Sequence, residues 1–380
     1  MWKKILYTLF VAFCLPSFFS QGVHADVAPP IQVIWNDNSL PEVKVIVKEG
    51  RVYLPLRKTT DLLQGVTVWN KKTNTITIQR PETTISLNIG SKSAKVNDKA
   101  ISFDSPPFVM QGVTYVPLRF TVTAFGIDVS WNAKESLVSV TTGEQLTSAS
   151  SNGEYFWLDN HSGSVYALFN NKSISKLGDT TFKIEGISPL YSSITLIDPD
   201  TYLFNITRHG GTTLALRDHY QILIHDSKIV KTALVRYFDG IVDSNQVEHN
   251  GEVIMRDGST VIFVNPNGSI NKSFDLAKLT NLDENTFNVE AVFDDYLLVK
   301  AHPYGTLWLI DRSTNEAVAL YKTLLTKEQQ QRVDTWDKTD MSFQGDGLSF
   351  IKRDGQKLTL TFTEWWFSNE VSSLQFNIPN

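Results

Sequence analysis

Gly50-Arg51-Val52-Tyr53-Leu54-Pro55-Leu56-Arg57 returns 62 positions later as Gly112-Val113-Thr114-Tyr115-Val116-Pro117-Leu118-Arg119. The register holds downstream, where Trp69-Asn70 answers Trp131-Asn132 and Ile76 and Ile78 answer Val138 and Val140. Upstream it slips by one residue, Asn36-Asp37 against Asn97-Asp98. Self-similarity at fixed spacing is one supersecondary unit built twice. Gly50 and Gly112 stand where a hairpin turn needs positive φ. The β-branched and aromatic residues that follow suit a strand. Pro55 and Pro117 then end strand pairing and open a helix. Leu56, Thr60 and Leu63, like Leu118, Val122 and Phe125, recur at i, i+4, i+7, one face of that helix. Gly65 and Gly126 close it. Residues 66–69 read as a strand, 70–74 as a turn, and 75–78 alternate as a half-buried strand. The expectation is an α+β module over residues 26–141, with repeats at about 31–80 and 85–141. Each repeat is a set of antiparallel strands carrying one short helix.

The G-x-x-Y-x-P-L-R octet, the short helix, V-x-W-N and the alternating strand resemble the copper amine oxidase N-terminal-like domain, also called the stalk domain. The resemblance covers residues 31–141 and both copies. It implies an exported protein, of the kind found in Gram-positive bacteria, associated with the cell surface or wall. In the oxidases this domain projects away from the active site, so the resemblance does not imply oxidase chemistry. A quinone-forming Asn-Tyr-Asp or Asn-Tyr-Glu is absent from the chain, and no two of His161, His209, His219, His225, His249 and His302 stand one residue apart. Copper held by a His-x-His pair is thereby excluded. No cofactor and no metal site is expected.

Residues 1–25 read as a secretory signal peptide. Lys3 and Lys4 form a positive start, residues 5–19 are nearly all apolar, and Val23-His24-Ala25 suits cleavage before Asp26. Pro16, Ser17, Ser20 and Gln21 leave the apolar run too short to span a bilayer. Cys14 is the one cysteine and leaves with the signal, so disulfides and thiolate chemistry are excluded from the mature chain. Loss of Lys3 and Lys4 moves the formal charge from −5 to −7. A mildly acidic chain without basic runs disfavours nucleic acid as a partner. No later stretch is apolar for long enough to cross a membrane.

Residues 142–153, rich in Ser and Thr, read as a linker. Residues 154–380 read as an all-β domain, because apolar strands recur around Asp/Asn/Gly turns at 159–163, 265–268, 311–315 and 353–355, with weaker candidates at Asp198 and Asp226. The last three strong turns start 46 and 42 residues apart, near the period of a propeller blade. The expectation is a β-propeller of about five blades, interrupted by one helix near residues 324–333. A pair of β-sandwiches is the alternative.

Candidate site residues carry two readings each. Arg57 and Arg119 either bind a carboxylate or sugar acid, or tie each helix start to a neighbouring strand, and their recurrence favours the second. Trp69 and Trp131 read as core anchors of the two units, with sugar stacking as the other reading. In the C-terminal half, Arg208-His209-Gly210-Gly211 can place a base or ligand in a turn. Trp308, Trp336, Trp365 and Trp366 can line a glycan site. Asp198-Pro199-Asp200 and Asp294-Asp295 read as turn residues, without the spaced oxygens of a calcium loop. No G-x-S-x-G elbow occurs. The expected function is a secreted, non-catalytic protein of the cell envelope. Its stalk-like module serves as spacer or anchor and its propeller as ligand platform, for a wall polymer, a glycan or a surface protein. The alternative is an extracellular enzyme acting on wall polysaccharide.

Overall fold

The computed structural model describes residues 31–379 apart from 41, 144–145, 171–172, 185–189, 211–215, 239–245, 283–285, 303, 338–342 and 368. The expected signal peptide lies outside the described residues. Among the described residues, no helix is long and apolar enough to cross a membrane.

The two copies of the octet pair with each other. The strands Arg51–Pro55 and Val113–Pro117 are antiparallel neighbours at the centre of one four-stranded sheet, with Tyr115 opposite Pro55 and Pro117 opposite Tyr53. Each is flanked by its own hairpin partner, Ile46–Lys48 and Phe108–Met110. Gly50 and Gly112 take φ of +71° and +75° in those hairpins, a conformation a side chain disfavours. A second exchange joins the ends of the module, where Gln32–Trp35 lies parallel to Leu137–Thr141. The strands Val66–Asn70 and Thr75–Arg80 lead a separate five-stranded sheet. The expectation of two small sheets, one per copy, is therefore corrected. A unit of this size cannot bury its own apolar face, so the copies complete one another.

Prolines 55 and 117 end the paired strands and cap the helices Leu56–Leu62 and Leu118–Thr123. Each helix is held by a threonine at matching positions: Thr59 Oγ1 donates to the Pro55 carbonyl at 3.0 Å, and Thr121 Oγ1 to that of Pro117 at 2.9 Å. The buried anchors are Trp35, Tyr53 and Tyr115. Phe108 lies edge-on to Tyr53 and stacked with Tyr115, which welds the copies together. Asn70 and Asn132 accept backbone N–H groups two and three residues on, so each closes the turn after its Trp.

Trp69 and Trp131 are not core anchors, being 47% and 44% exposed. Both lie on the edge strands Val66–Asn70 and Asp128–Asn132, opposite the buried Ile76 and Val138. An edge residue has a neighbour on one side only, so each indole covers its cross-strand partner and leaves its outer side open to solvent.

After residue 145 the chain builds five antiparallel sheets in sequence order. The first holds Leu146–Ser151, Glu154–Asp159, Ser164–Leu168 and Ile174–Asp179. The second holds Leu190–Asp198, Thr201–Gly210, Leu216–His225 and Lys228–Phe238. The third runs from Glu248–His249 through Glu252–Asp257 and Thr260–Val264 to Ile270–Asp275. The fourth runs from Thr286–Val292 through Tyr296–His302 and Thr306–Asp311 to Ala317–Ala319. The fifth has three strands, Leu348–Asp354, Lys357–Thr363 and Val371–Asn377. Three short helices accompany them among the described residues, Leu276–Thr280, Leu320–Leu324 and Lys327–Thr335, where one was expected. The first of these is signalled only by Asp275, whose side chain caps it by accepting from Lys278 N.

One apolar core lies between each successive pair of sheets. Phe156 and Val165 meet Phe204 and Ile222, and Leu203 and Leu223 meet Val253 and Ile262. Ile254 and Phe263 meet Phe287 and Val299, while Leu298 and Leu307 meet Leu348 and Leu360. Neighbours such as Leu203 and Phe204 feed cores on opposite faces of one sheet, as the two-residue period of a strand requires.

The first sheet also packs against the N-terminal module. Its strand Leu146–Ser151 occupies half of the expected linker, with Leu146 and Thr147 buried. Small hydroxyl residues read as a linker by composition, yet here the backbone pairs with Glu154–Asp159 and Thr147 Oγ1 donates to Asn160 Oδ1 at 2.8 Å. Trp157, Tyr166 and Leu168 form one cluster with Leu146 and with Val66 of the module. Trp157 Nε1 donates to the Gln64 carbonyl at 2.7 Å, and Tyr166 Oη donates to Glu82 Oε1 at 2.7 Å.

Candidate functional site

Two cavities carry chemistry, one in each half. The first, about 500 Å³, opens between the copies of the repeat. Its walls come from the turn and strand at Gly50, Arg51 and Val52, the loop at Phe103 and Asp104, the start of the second helix, and the edge strand that carries Trp131. Phe103 and Phe120 stack at 4.1 Å and 14° and form an apolar wall. Arg51 forms an ion pair with Asp104, holding that carboxyl below its usual range through the hydrogen bond between them. Arg119 is exposed, and its side chain has no hydrogen bond or ion pair among the described residues. Arg57 is likewise exposed and unpaired among the described residues. The expectation that these arginines tie each helix start to a neighbouring strand is corrected, because neither side chain has such a bond among the described residues, while Thr59 and Thr121 bond back to the prolines that open their own helices.

The second cavity, about 400 Å³, lies at the second and third sheets. Tyr191, Ser192, Asn205, Thr207, His219 and Arg256 line it, together with Ser193, Thr195 and Val247. Four of these side chains, Asn205, Thr207, His219 and Arg256, belong to a buried polar line that crosses three sheets. Thr207 Oγ1 lies 2.9 Å from His219 Nδ1, and Gln221 Nε2 donates to Asn205 Oδ1 at 3.3 Å. Gln221 Oε1 accepts from Arg256 N at 2.8 Å, and Arg256 Nη1 donates to Asn288 Oδ1 at 3.3 Å. Arg256 is 3% exposed. Among the described residues, no Asp or Glu lines this cavity. The walls offer hydroxyl, amide, imidazole and guanidinium groups, which suit hydrogen bonding to a polar ligand. Among the described residues they include no pair of carboxylates of the kind that acid–base hydrolysis of a glycoside uses.

The other candidate residues scatter over the C-terminal half. Arg208, in the second sheet, reaches Asp218 at 3.5 Å beside the pair between Asp218 and Arg236. Asp218 is buried, so these contacts satisfy a charge inside the sheet. His209, in the strand Thr201–Gly210, stands opposite Arg217 of the neighbouring strand Leu216–His225, and its side chain lies outside the described residues. Trp308 is half-buried in the fourth sheet, against two of the cores, with its Nε1 3.0 Å from Thr306 Oγ1. Trp336 ends the helix Lys327–Thr335 and meets Trp365 edge-on at 5.0 Å; Trp365 in turn meets Trp366 at 5.1 Å and Phe343 at 5.7 Å. None of Arg208, Trp308 and Trp336 lines either cavity. Asp198 accepts from Asp200 N within its turn, Asp294 accepts from Asn250, and Asp295 pairs with Arg353. Among the described residues, no three His, Cys, Asp or Glu side chains converge as metal ligands would. The residues of the second cavity went unnoticed in the sequence because they are single polar residues spread from 191 to 256 without a motif.

Residues 34–140 match the copper amine oxidase N-terminal domain. That domain thus holds the first cavity and meets the first C-terminal sheet through Val66, Gln64 and Glu82. Among curated proteins the chain has no match. Among solved structures it is similar to the β-propeller domain of Cps50 (Swd1) from Myceliophteria thermophila, at 8% identity over 72% of this chain and 87% of that one, TM-score 0.21. It is also similar to apo AztD from Citrobacter koseri, at 8% identity over 67% and 85%, TM-score 0.21. A third is a catalytically inactive virginiamycin B lyase from Staphylococcus aureus with quinupristin, at 11% identity over 84% and 94%, TM-score 0.21. At these scores none of the three bears on what the chain does.

Proposed function

We propose that this chain is an exported, non-catalytic protein of the cell surface. In this reading the five C-terminal sheets form a propeller-like ligand platform, and the copper amine oxidase N-terminal domain holds that platform at the envelope. The observation that carries the reading is the cavity at the second and third sheets, rich in hydrogen-bonding groups and, among the described residues, bare of carboxylates. The stacking of each sheet on the next supports the propeller-like description, with the domain packed on a further face of the first sheet. The ligand class is a wall polymer, a glycan or a surface protein.

The rival reading, an enzyme acting on wall polysaccharide, makes the opposite prediction in a single assay. Mature protein, recovered from the culture medium or cell surface with its N-terminus at Asp26, is incubated with purified wall polysaccharide. Retention on the polymer without new reducing ends supports the binding reading, and Arg256→Gln or His219→Ala should weaken that retention. Steady release of reducing ends would establish the enzyme instead. A chain that stays in the cytoplasm with Met1 in place would sink the export reading.

A further inference from the structure

We propose that the cavity between the two copies of the repeat is a binding site for an acidic saccharide, a sugar chain carrying a uronic-type carboxylate. The site stands apart from the C-terminal cavity and does not depend on where the protein is delivered. Among the described residues, three ionisable ones line it, Arg51, Asp104 and Arg119. Arg51 and Asp104 neutralise each other, which leaves the Arg119 guanidinium as the uncompensated charge of the groove. A planar guanidinium with free donors meets a carboxylate with two parallel hydrogen bonds, so charge and geometry together select an anion of that shape.

The carboxylate is carried by a sugar because of what lies beside Arg119. Trp131 is 44% exposed at a sheet edge in the wall of the same groove, and its indole N–H has no partner among the described residues. An exposed indole offers a flat apolar face with one donor at its rim. A pyranose ring has the complementary surface, C–H groups on its faces and hydroxyls around its edge. The stacked pair of Phe103 and Phe120 adds a second apolar wall. At about 500 Å³ the groove falls in the size range of small-molecule sites. Neither Arg119 nor Trp131 is a main anchor of the fold: Arg119 is exposed without a partner among the described residues, and the buried anchor of this copy is Tyr115. Their exposed positions leave both free to contact a ligand.

The probe is a tetrasaccharide of β-1,4-linked glucuronic acid, with the neutral glucose tetrasaccharide of the same linkage as comparison. Calorimetric titration of the full chain should show the acidic form binding at least about tenfold more tightly, by an amount that shrinks as salt rises. Arg119→Gln should abolish that preference, and Trp131→Ala should weaken both sugars about tenfold or more. Lys357→Gln, which removes an exposed charge elsewhere, should change neither. A cooperative thermal transition well above the titration temperature confirms that each variant is folded; Arg119→Lys, which keeps the charge but not the fork, should recover part of the preference. Equal binding of the two tetrasaccharides, or an Arg119→Gln variant that binds like the parent, overturns the proposal. Equally tight binding of a short peptide with a free carboxyl terminus also overturns it, because the site would then read carboxylates without reading sugars.

Discussion

Replacing Trp157 tests whether the two halves form one cooperative body. This side chain is 1% exposed, packs with Val66, Leu146, Tyr166 and Leu168, and donates its indole N–H across the boundary to the Gln64 carbonyl at 2.7 Å. Trp157→Ala removes the ring from a closed cluster, which costs roughly 3–5 kcal/mol in buried sites. Trp157→Phe keeps most of the apolar area but leaves a shielded carbonyl without its donor, a loss of about 1–3 kcal/mol. With roughly 2–4 °C per kcal/mol for domains of a few hundred residues, the alanine variant should melt on the order of 10 °C below the parent. Differential scanning calorimetry adds a second readout. If the contact couples the halves, the parent shows one transition and Trp157→Ala splits or broadens it. A fragment beginning at residue 152, which lacks the strand Leu146–Ser151, should be less stable than one beginning at residue 146. An alanine variant that melts with the parent, or a 152–380 fragment as stable as the longer one, would refute the coupling and restore two independent domains.

Trp69→Ala and Trp131→Ala should each cost only about 2 kcal/mol, because roughly half of each ring is already open; Tyr115→Ala, fully buried, should cost about 3–5 kcal/mol, as thermal melts will compare. Asp346 lies fully buried between Leu307 N at 2.7 Å and Leu348 N at 3.0 Å, and burial outweighs those donors, pushing its carboxyl up to about 6. A carboxyl raised in the folded state favours folding below its unfolded pKa, and that contribution is lost as pH rises from about 4 through about 6, on the order of 3 kcal/mol. Denaturant titrations of the parent and Asp346→Asn across that window should differ in slope, and parallel curves would contradict the assignment. The lack of a His-x-His pair and of Asn-Tyr-Asp/Glu predicts no stoichiometric copper and no peroxide from amines; metal analysis after copper loading checks the first and a peroxidase-coupled assay the second.

The repeat was legible because its signals are local. A glycine with positive φ, a β-branched or aromatic run, a proline at the helix start and an Asn turn each act within a few residues, so they recur at 62-residue spacing whatever surrounds them. The buried helix residues Leu56, Thr60, Leu63, Leu118 and Val122 follow from a 3.6-residue period in the same way. The alternating strands after residue 153 and their Asp/Asn/Gly turns were legible for that reason too.

Tertiary structure decided everything that depends on which strand lies beside which. The pairing of Arg51–Pro55 with Val113–Pro117 joins residues far apart in the chain, and no local pattern distinguishes it from pairing within one copy. Edge position alone turned Trp69 and Trp131 outward, because the sequence specifies an aromatic in a strand and not the side on which a neighbouring strand is missing. Composition misread residues 146–151, since small hydroxyl residues make either a linker or a strand whose hydrogen bonds are met across a sheet. Both cavities arise where separate stretches converge, residues 50–52, 103–104, 117–120 and 129–138 in one and 191–256 in the other. A single Arg or Ser in a strand carries no mark of a pocket until folding places three or four such residues around one space.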